Sequence, residues 1–272
     1  MRINLAFSPC PNDTFIFDAL VNNKVDTEGL NFKTTLADVE QLNKWSMKNR
    51  YDVTKLSYYA YTKCFDYYKI LNSGSALGEG CGPILIKKPN TIINNNSKIA
   101  IPGEYTTANM LLNIAYPDLQ NKDAVIFSEI EKLVIENQYD AGVIIHENRF
   151  TYEERGLVKE QDLGDFWSKE TDLPIPLGGI VVSRNLDLDV QYKIDRIIKK
   201  SIQFAFKNKE ILSEYVKLNA QEMSDHIINS HISLYVNDFS LSLGDLGRSS
   251  ILKIFEKLNI ECYNIFLDHN DC

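Results

Sequence analysis

Short apolar runs separated by polar turns recur along the first two thirds of the chain. Ile3 to Phe7 is such a run, and the two prolines that follow it fix a turn and disfavour helix in the residues before them. A helical pattern, with apolar positions three or four residues apart, begins at Asn12. The same succession of strand and helix returns after Leu30 and after Tyr51. This alternation predicts an α/β fold with buried parallel strands.

A polar stretch interrupts the alternation after residue 88. The run from Leu177 to Ser183 is a predicted strand that carries the chain back, and helical patterns dominate from Asp189 onward. We therefore expect two α/β lobes with a cleft between them. Residues 1–88 and 181–272 would form lobe I, which includes the helical tail, and residues 89–180 would form lobe II.

The run Ala141-Gly-Val-Ile-Ile145 has the length and composition of a buried strand, and it stops abruptly at His146. Ligands of open α/β sheets bind just beyond the carboxyl ends of strands, so an imidazole at this place is a candidate catalytic group. An isolated histidine is more often a packing or capping residue. The pattern alone leaves both roles open.

Three predicted strand-to-helix junctions end in residues that commonly cap helices, namely Asn12, Ser57 and Thr106. The N–H groups at a helix start and the positive end of its dipole attract anions, so we expect a carboxylate or phosphate ligand, with Asn12 as one contact. Simple capping is the alternative at each junction. Lys55 is either solvated or a point charge directed into the cleft.

Composition narrows the classes of partner. The chain has 272 residues and a formal net charge of -8, which disfavours binding to nucleic acid or to an anionic membrane surface. It is 44% hydrophobic and 24% charged, and no apolar run is long enough to span a bilayer. A small molecule is therefore the expected partner.

The five cysteines are scattered and contain no Cys-x-x-Cys pair, which predicts reduced thiols and neither a disulfide framework nor a thiolate metal site. The first apolar run is too short and too interrupted for an export signal. We therefore expect a cytoplasmic protein.

Other candidate sites are weaker. The glycine-rich passage from Gly74 to Gly82 lacks both the P-loop lysine and the Rossmann spacing, so we interpret it as a turn or hinge. His226, His231 and His269 have no partners at metal-ligand spacing, which favours surface or packing roles. Cys10 lies beside a helix start, where a thiolate is stabilised, but no base accompanies it in the sequence.

Five stretches are distinctive when taken together. They are Phe7-Ser-Pro-Cys-Pro-Asn-Asp-Thr-Phe-Ile-Phe17, Thr54-Lys-Leu-Ser57, Ile101-Pro-Gly-Glu-Tyr-Thr-Thr-Ala108, Gly142-Val-Ile-Ile-His-Glu-Asn-Arg-Phe-Thr-Tyr152 and Leu177-Gly-Gly-Ile180. In combination they resemble the 1,4-dihydroxy-6-naphthoate synthase family of the futalosine route to menaquinone. The similarity covers essentially the whole chain.

The resemblance implies a two-lobed, periplasmic-binding-protein-like fold of type II. It also implies a lyase that converts cyclic dehypoxanthine futalosine to 1,4-dihydroxy-6-naphthoate, with no cofactor and no metal, and with His146 as the general base. Asn148 departs from the family, in which we expect a smaller residue such as Ser or Gly at this place. The implied substrate contacts come from two segments: Lys55, Leu56, Ser57, Thr106, Thr107 and Ala108.

Two alternatives remain open at this point. One is a non-catalytic protein of the same fold that binds a small carboxylate or another anion, and the missing export signal counts against it. The other is the sibling chorismate-derived dehydratase of the same pathway, against which the opening Ser8-Pro-Cys-Pro-Asn-Asp13 and the segment ending at His146 favour the synthase. The sequence does not decide between a monomer and a homodimer.

Overall fold

The computed structural model describes residues 1–80, 82–220 and 224–268. His269 and two of the cysteines, Cys81 and Cys272, lie outside the described residues. The strands are β1 (Arg2–Phe7), β2 (Asn31–Leu36), β3 (Val53–Ser57), β4 (Tyr68–Ile70), β5 (Ala76–Gly78), β6 (Ile84–Lys87), β7 (Ile99–Ile101), β8 (Lys122–Ala124), β9 (Ala141–Ile144), β10 (Val158–Asp162) and β11 (Ile175–Ser183).

Two short 3-10 helices stand among the α-helices of the described residues. The α-helices are α1 (Pro11–Val21), α2 (Val39–Ser46), α3 (Tyr58–Tyr61), α4 (Thr107–Ala115), α5 (Ile130–Ile135), α6 (Leu163–Thr171), α7 (Leu188–Lys207), α8 (Glu214–Asn219), α9 (Asp225–Tyr235), α10 (Asp238–Leu241) and α11 (Gly244–Lys257). The 3-10 helices are Phe127–Glu129 and His146–Phe150.

The chain divides into two compact units, each with its own sheet. Unit 1 comprises Met1–Gly78 and Pro176–Cys272. Its sheet has the strand order β2-β1-β3-β11-β4, with β5 paired to β11. The pairs β1–β2 and β1–β3 are parallel, whereas β11 runs antiparallel to β3 and β4. The returning strand β11 thus completes the sheet that the first strands begin.

Unit 2 comprises Glu79–Ile175, and its sheet has the order β10-β6-β9-β7-β8. Strand β7 is parallel to both β8 and β9, and β6 is antiparallel to β9 and β10. The boundary therefore differs from the expected one at residue 88, because β6 pairs with β9 and β10 in the second sheet. The second boundary, at Ile175 and Pro176, lies a few residues before the expected position at 180.

Local sequence explains the element starts and the core of unit 1. The Asp38 side chain accepts hydrogen bonds from the amides of Glu40 and Gln41 and so caps α2. The rings of Phe7 and Phe17 stack with centroids 4.3 Å apart where α1 packs on β1. The buried face of α7 adds isoleucines to the same core. Burial of each such side chain contributes about 1.5–3 kcal/mol.

Within the described residues, none of the helices combines the length and the apolar character that crossing a bilayer requires.

Candidate active site

Strand β9 delivers His146 to an edge of the unit 2 sheet. All four residues of β9 are buried, and Gly142 is required there because a Cβ would lie 2.4 Å from Cγ2 of Ile130. After the extended Ile145, His146 begins a 3-10 helix with a φ of 58°. A positive φ is unfavourable for a residue with a Cβ, and such strain concentrates at functional sites.

The His146 imidazole is half-buried and packs edge-on against the ring of Phe127, with centroids 5.0 Å apart and an interplanar angle of 64°. Phe127 itself is buried in the 3-10 helix before α5. The contact limits the orientations that the imidazole can adopt.

Asn148 connects the turn that carries His146 to a buried carboxylate. Its amide nitrogen donates a hydrogen bond of 2.6 Å to Oε2 of Glu131, which is fully buried on α5. Nη1 of Arg155 lies 2.8 Å from the same oxygen. Ser128 and Glu131 have the spacing of a capping box, but Ser128 lies inside a 3-10 helix, so the carboxylate is not a cap and instead holds Asn148.

Arg149 holds the other side of the same turn. Nη1 donates to the carbonyl of Gly82, and Nη2 lies 3.4 Å from Oδ2 of Asp162. Asp162 also caps α6 by accepting from the amides of Gly164 and Asp165. The 3-10 helix is therefore fixed to two different elements of unit 2.

The start of α4 lies at the same sheet edge as His146, because β7 and β9 are adjacent parallel strands. The Thr106 hydroxyl caps this helix by accepting from the amide of Asn109 at 3.2 Å, and it donates to the carbonyl of Gly103 at 2.9 Å. Thr107 and Ala108, both buried, form the first turn, which contains no acidic residue. The capping interpretation thus holds for the Thr106 hydroxyl.

In unit 1 the start of α1 differs from the expected one. The helix begins at Pro11 with Cys10 in the capping position, so Asn12 lies inside the first turn rather than before the helix. Oδ2 of Asp13 accepts hydrogen bonds from the amide and the hydroxyl of Ser8, at 3.2 and 2.8 Å. A carboxylate of the chain itself therefore occupies this helix start.

The Lys55 side chain is buried rather than solvated. Its Nζ lies 3.2 Å from Oδ1 of Asp13 and donates to the carbonyl of Gly74 at 2.9 Å. The pair forms because β1 and β3 are adjacent parallel strands whose carboxyl ends meet at one edge. The Lys55 ammonium thus already has an internal partner.

Leu56 and Ser57 belong to the same buried strand end. Ser57 makes no side-chain cap, contrary to the expected capping role; it exchanges two hydrogen bonds with the Asn43 side chain, at 3.1 and 2.9 Å. Leu56 is a core residue, and its carbonyl oxygen lies so close to Gly178 that a Cβ there would approach it to 2.6 Å. The paired glycines of the Leu177-Gly-Gly-Ile180 motif therefore permit β11 to pack on β3.

The contact between His231 and Asn12 is a feature that sequence reasoning missed. His231 is fully buried on α9, and its Nε2 lies 3.0 Å from Oδ1 of Asn12, whose amide nitrogen donates to Asp13 at 2.9 Å. Its sequence neighbours gave no signal, because its partner is 219 positions away. His226, by contrast, is exposed.

The described residues contain no group of three or more His, Cys, Asp or Glu side chains arranged to hold a metal ion.

The candidate residues fall into two sets, one in each unit. Unit 1 carries Asn12, Lys55, Leu56 and Ser57 at one sheet edge, and unit 2 carries Thr106, Thr107, Ala108 and His146 at another.

Comparisons with known proteins agree with this architecture. The family model described as menaquinone biosynthesis matches residues 3–259. A crystal structure of a protein from Archaeoglobus fulgidus superimposes with a TM-score of 0.89 at 33% identity, covering 95% of this chain and 97% of that one. The periplasmic aliphatic sulphonate binding protein of Escherichia coli gives a TM-score of 0.64 at 8% identity, covering 97% of this chain and 90% of that one. These likenesses, with the two mixed sheets, confirm the predicted two-lobed, periplasmic-binding-protein-like fold of type II.

Two relatives carry a functional name. A 1,4-dihydroxy-6-naphthoate synthase of Thermus thermophilus is 40% identical over 253 residues, which cover 93% of this chain and 92% of that protein. The protein of the same name from Streptomyces coelicolor is 36% identical over 254 residues, covering 92% and 90%. These matches support a role in menaquinone biosynthesis, and the chain belongs to the 1,4-dihydroxy-6-naphthoate synthase family.

Proposed function

We propose that the protein is a lyase that converts cyclic dehypoxanthine futalosine to 1,4-dihydroxy-6-naphthoate, with His146 as the general base. One observation carries the proposal. His146 and the start of α4 follow two adjacent parallel strands, so a half-buried imidazole and a helix start without acidic residues share one sheet edge.

The chemistry of this pair suits the reaction. An imidazole changes its protonation state near neutral pH and can accept a proton from a sugar hydroxyl or a carbon acid. The product carries a carboxylate, and the first-turn backbone of Thr107 and Ala108 offers N–H groups and a positive helix end to such a group. The substrate would thus be held by its anionic end while His146 takes the proton that its sugar part loses. No cofactor takes part in this proposal.

Unit 1 contributes differently. Lys55 and Asn12 have internal partners in Asp13 and His231, so we propose that they shape a rigid contact surface rather than offer free charges. Leu56 and Ser57 are fixed in the same way by the sheet and by Asn43. Their proposed contact with substrate rests on the family motif.

The direct test incubates purified protein with cyclic dehypoxanthine futalosine and follows dihydroxynaphthoate by mass spectrometry. We expect His146→Ala to bind the substrate and to lose activity by a factor of about 10² to 10⁴. Unchanged turnover in this variant would remove His146 from the mechanism.

The same assay separates the alternatives. A chorismate-derived intermediate is offered in a parallel reaction, and its dehydration instead of conversion of the cyclic substrate would identify the sibling enzyme. Binding of the cyclic substrate without any product from the wild-type protein would indicate a binding protein. The naming of both relatives as synthases favours conversion of the cyclic substrate to dihydroxynaphthoate.

A further inference from the structure

We infer that Glu131 is a positioning residue for His146 and acts through Asn148. The inference rests on the proposed role of His146 and adds two residues to that site. Its geometry is a chain of contacts within unit 2, from α5 through the Asn148 side chain to the turn that begins with the imidazole.

The backbone of His146 needs an external constraint. Its φ of 58° lies in the left-handed region, which residues with a Cβ adopt only when the surrounding structure imposes it. The residue stands at the first position of a 3-10 helix of five residues, and short 3-10 helices have little stability of their own. Contacts with the rest of unit 2 must therefore maintain this conformation.

Asn148 supplies the central constraint. It lies two positions after His146 and is 7% exposed, and its amide nitrogen is 2.6 Å from Glu131. Its carbonyl accepts from the amides of Thr151 and Tyr152, both at 3.1 Å, so the main chain and the side chain of Asn148 are both held. Loss of the side-chain bond would leave a buried polar group to find another partner, which is unfavourable.

Glu131 is a suitable anchor because its own position is rigid. Its side chain is fully buried, and the adjacent Ile130 packs against Gly142 of β9, the strand that leads to His146. The half-exposed Arg155 offsets the carboxylate charge at 2.8 Å. A charge-assisted hydrogen bond from Asn148 to this carboxylate is stronger than a neutral one.

The segment that carries Glu131 also touches the imidazole. Phe127 lies four residues before Glu131 and packs edge-on against His146. The segment of residues 127–135 thus contacts both the imidazole, through Phe127, and the turn that carries it, through Glu131. A shift of the turn relative to Glu131 therefore changes the position of the imidazole against Phe127.

A purely structural role would lower stability without a specific effect on chemistry. A positioning role predicts that kcat falls while KM changes little, because the substrate contacts remain and only the base is misplaced. A small misplacement of a reacting group reduces the rate by up to about 100-fold. We expect Glu131→Ala and Asn148→Ser each to lower kcat by about tenfold to 100-fold.

Three further variants make the test specific. The double variant Glu131→Ala/Asn148→Ser should lower kcat no further than the single ones, because the two residues act through one contact. Glu131→Gln keeps an acceptor oxygen for Asn148 and should restore most of kcat. Glu129→Gln neutralises an exposed carboxylate two positions before Glu131, so its kcat should stay near that of the wild type.

Nuclear magnetic resonance of the histidine rings gives a readout that is independent of activity. The chain has four histidines, and His146→Gln identifies the resonance of His146. We expect this resonance to shift in Glu131→Ala, because Glu131 contacts the His146 turn through Asn148 although it lies 15 positions away in the sequence. The resonance should shift much less in Glu129→Gln.

The inference is overturned if the His146 resonance is unchanged in Glu131→Ala, or if Glu129→Gln lowers kcat as much as Asn148→Ser does. Should Glu131→Ala not fold, Asn148→Ser and Glu131→Gln answer the same question. If the wild-type protein converts no substrate, the proposed function fails, and the resonance experiment still decides whether Glu131 positions His146.

Discussion

Replacement of Lys55 by methionine isolates the energetic value of the buried ion pair at the edge of the unit 1 sheet. Lys55 and Asp13 have side chains that are 8% and 3% exposed, and their charged atoms are 3.2 Å apart. Lys55→Met removes the ammonium with little change in volume. It leaves the Asp13 carboxylate buried with its hydrogen bonds to Ser8 and Asn12, and it deprives the Gly74 carbonyl of its donor.

Breaking a buried ion pair from one side destabilises a protein by about 3–5 kcal/mol, since the remaining charge stays desolvated. The hydrogen bonds that Asp13 keeps place this case at the lower end of that range. The double variant Lys55→Met/Asp13→Asn removes both charges and should recover part of the loss, and the recovered part measures the coupling between the two residues.

The two tryptophans permit a selective assay, because Trp45 belongs to unit 1 and Trp167 to unit 2. In a Trp167→Phe background, the fluorescence of Trp45 follows the urea unfolding of unit 1 alone. With an m-value of about 2 kcal/mol/M, a loss of about 3 kcal/mol lowers the midpoint by about 1.5 M. A shift below about 0.5 M would place the pair among solvent-exposed ion pairs and would refute the reasoning from burial.

Three other predictions concern single contacts. Gly179→Ala would place a Cβ 2.4 Å from the Tyr58 hydroxyl, so the free energy of unfolding should fall by about 1–3 kcal/mol; an unchanged thermal midpoint would contradict this. Burial raises the pKa of Cys64 to about 12, so iodoacetamide at pH 8 should label Cys64 only after unfolding, as peptide mass spectrometry would report. Hydrogen bonds from Arg196 lower the pKa of Glu28 from 4.5 to about 2. The contribution of Glu28 to stability is therefore present above pH 4.5 and lost as the pH falls toward 2, and Glu28→Gln should weaken the pH dependence of the urea midpoint in that interval.

Local patterns were sufficient to predict β9 and the place of His146, because a buried strand needs a continuous apolar run and its end is marked by the first polar residue. The cap of α4 by Thr106 was predictable because a threonine directly before a helical pattern commonly caps the helix. The Lys55–Asp13 pair and the His231–Asn12 contact were not, since each depends on which strands and helices become neighbours in space.

The position of Glu131 shows how a local sequence pattern can indicate the wrong role for a side chain. Ser128 and Glu131 have the spacing of a capping box, but the helix begins later than the pattern indicates, at Ile130. The carboxylate is then directed into unit 2, where Asn148 and Arg155 hold it.

The two sheet edges differ in charge, and the difference decides where an anionic substrate group should bind. At the unit 1 edge the first turn of α1 contains Asp13, whose carboxylate already uses the helix start and neutralises Lys55. At the unit 2 edge the first turn of α4 contains no acidic residue, and Thr106 caps it without charge. A second carboxylate at the α1 start would meet a buried like charge, whereas the first turn of α4 carries no acidic side chain. We therefore expect the carboxylate of the substrate to bind at the α4 start, beside the edge that carries His146, and the two other predicted anion sites to serve the fold.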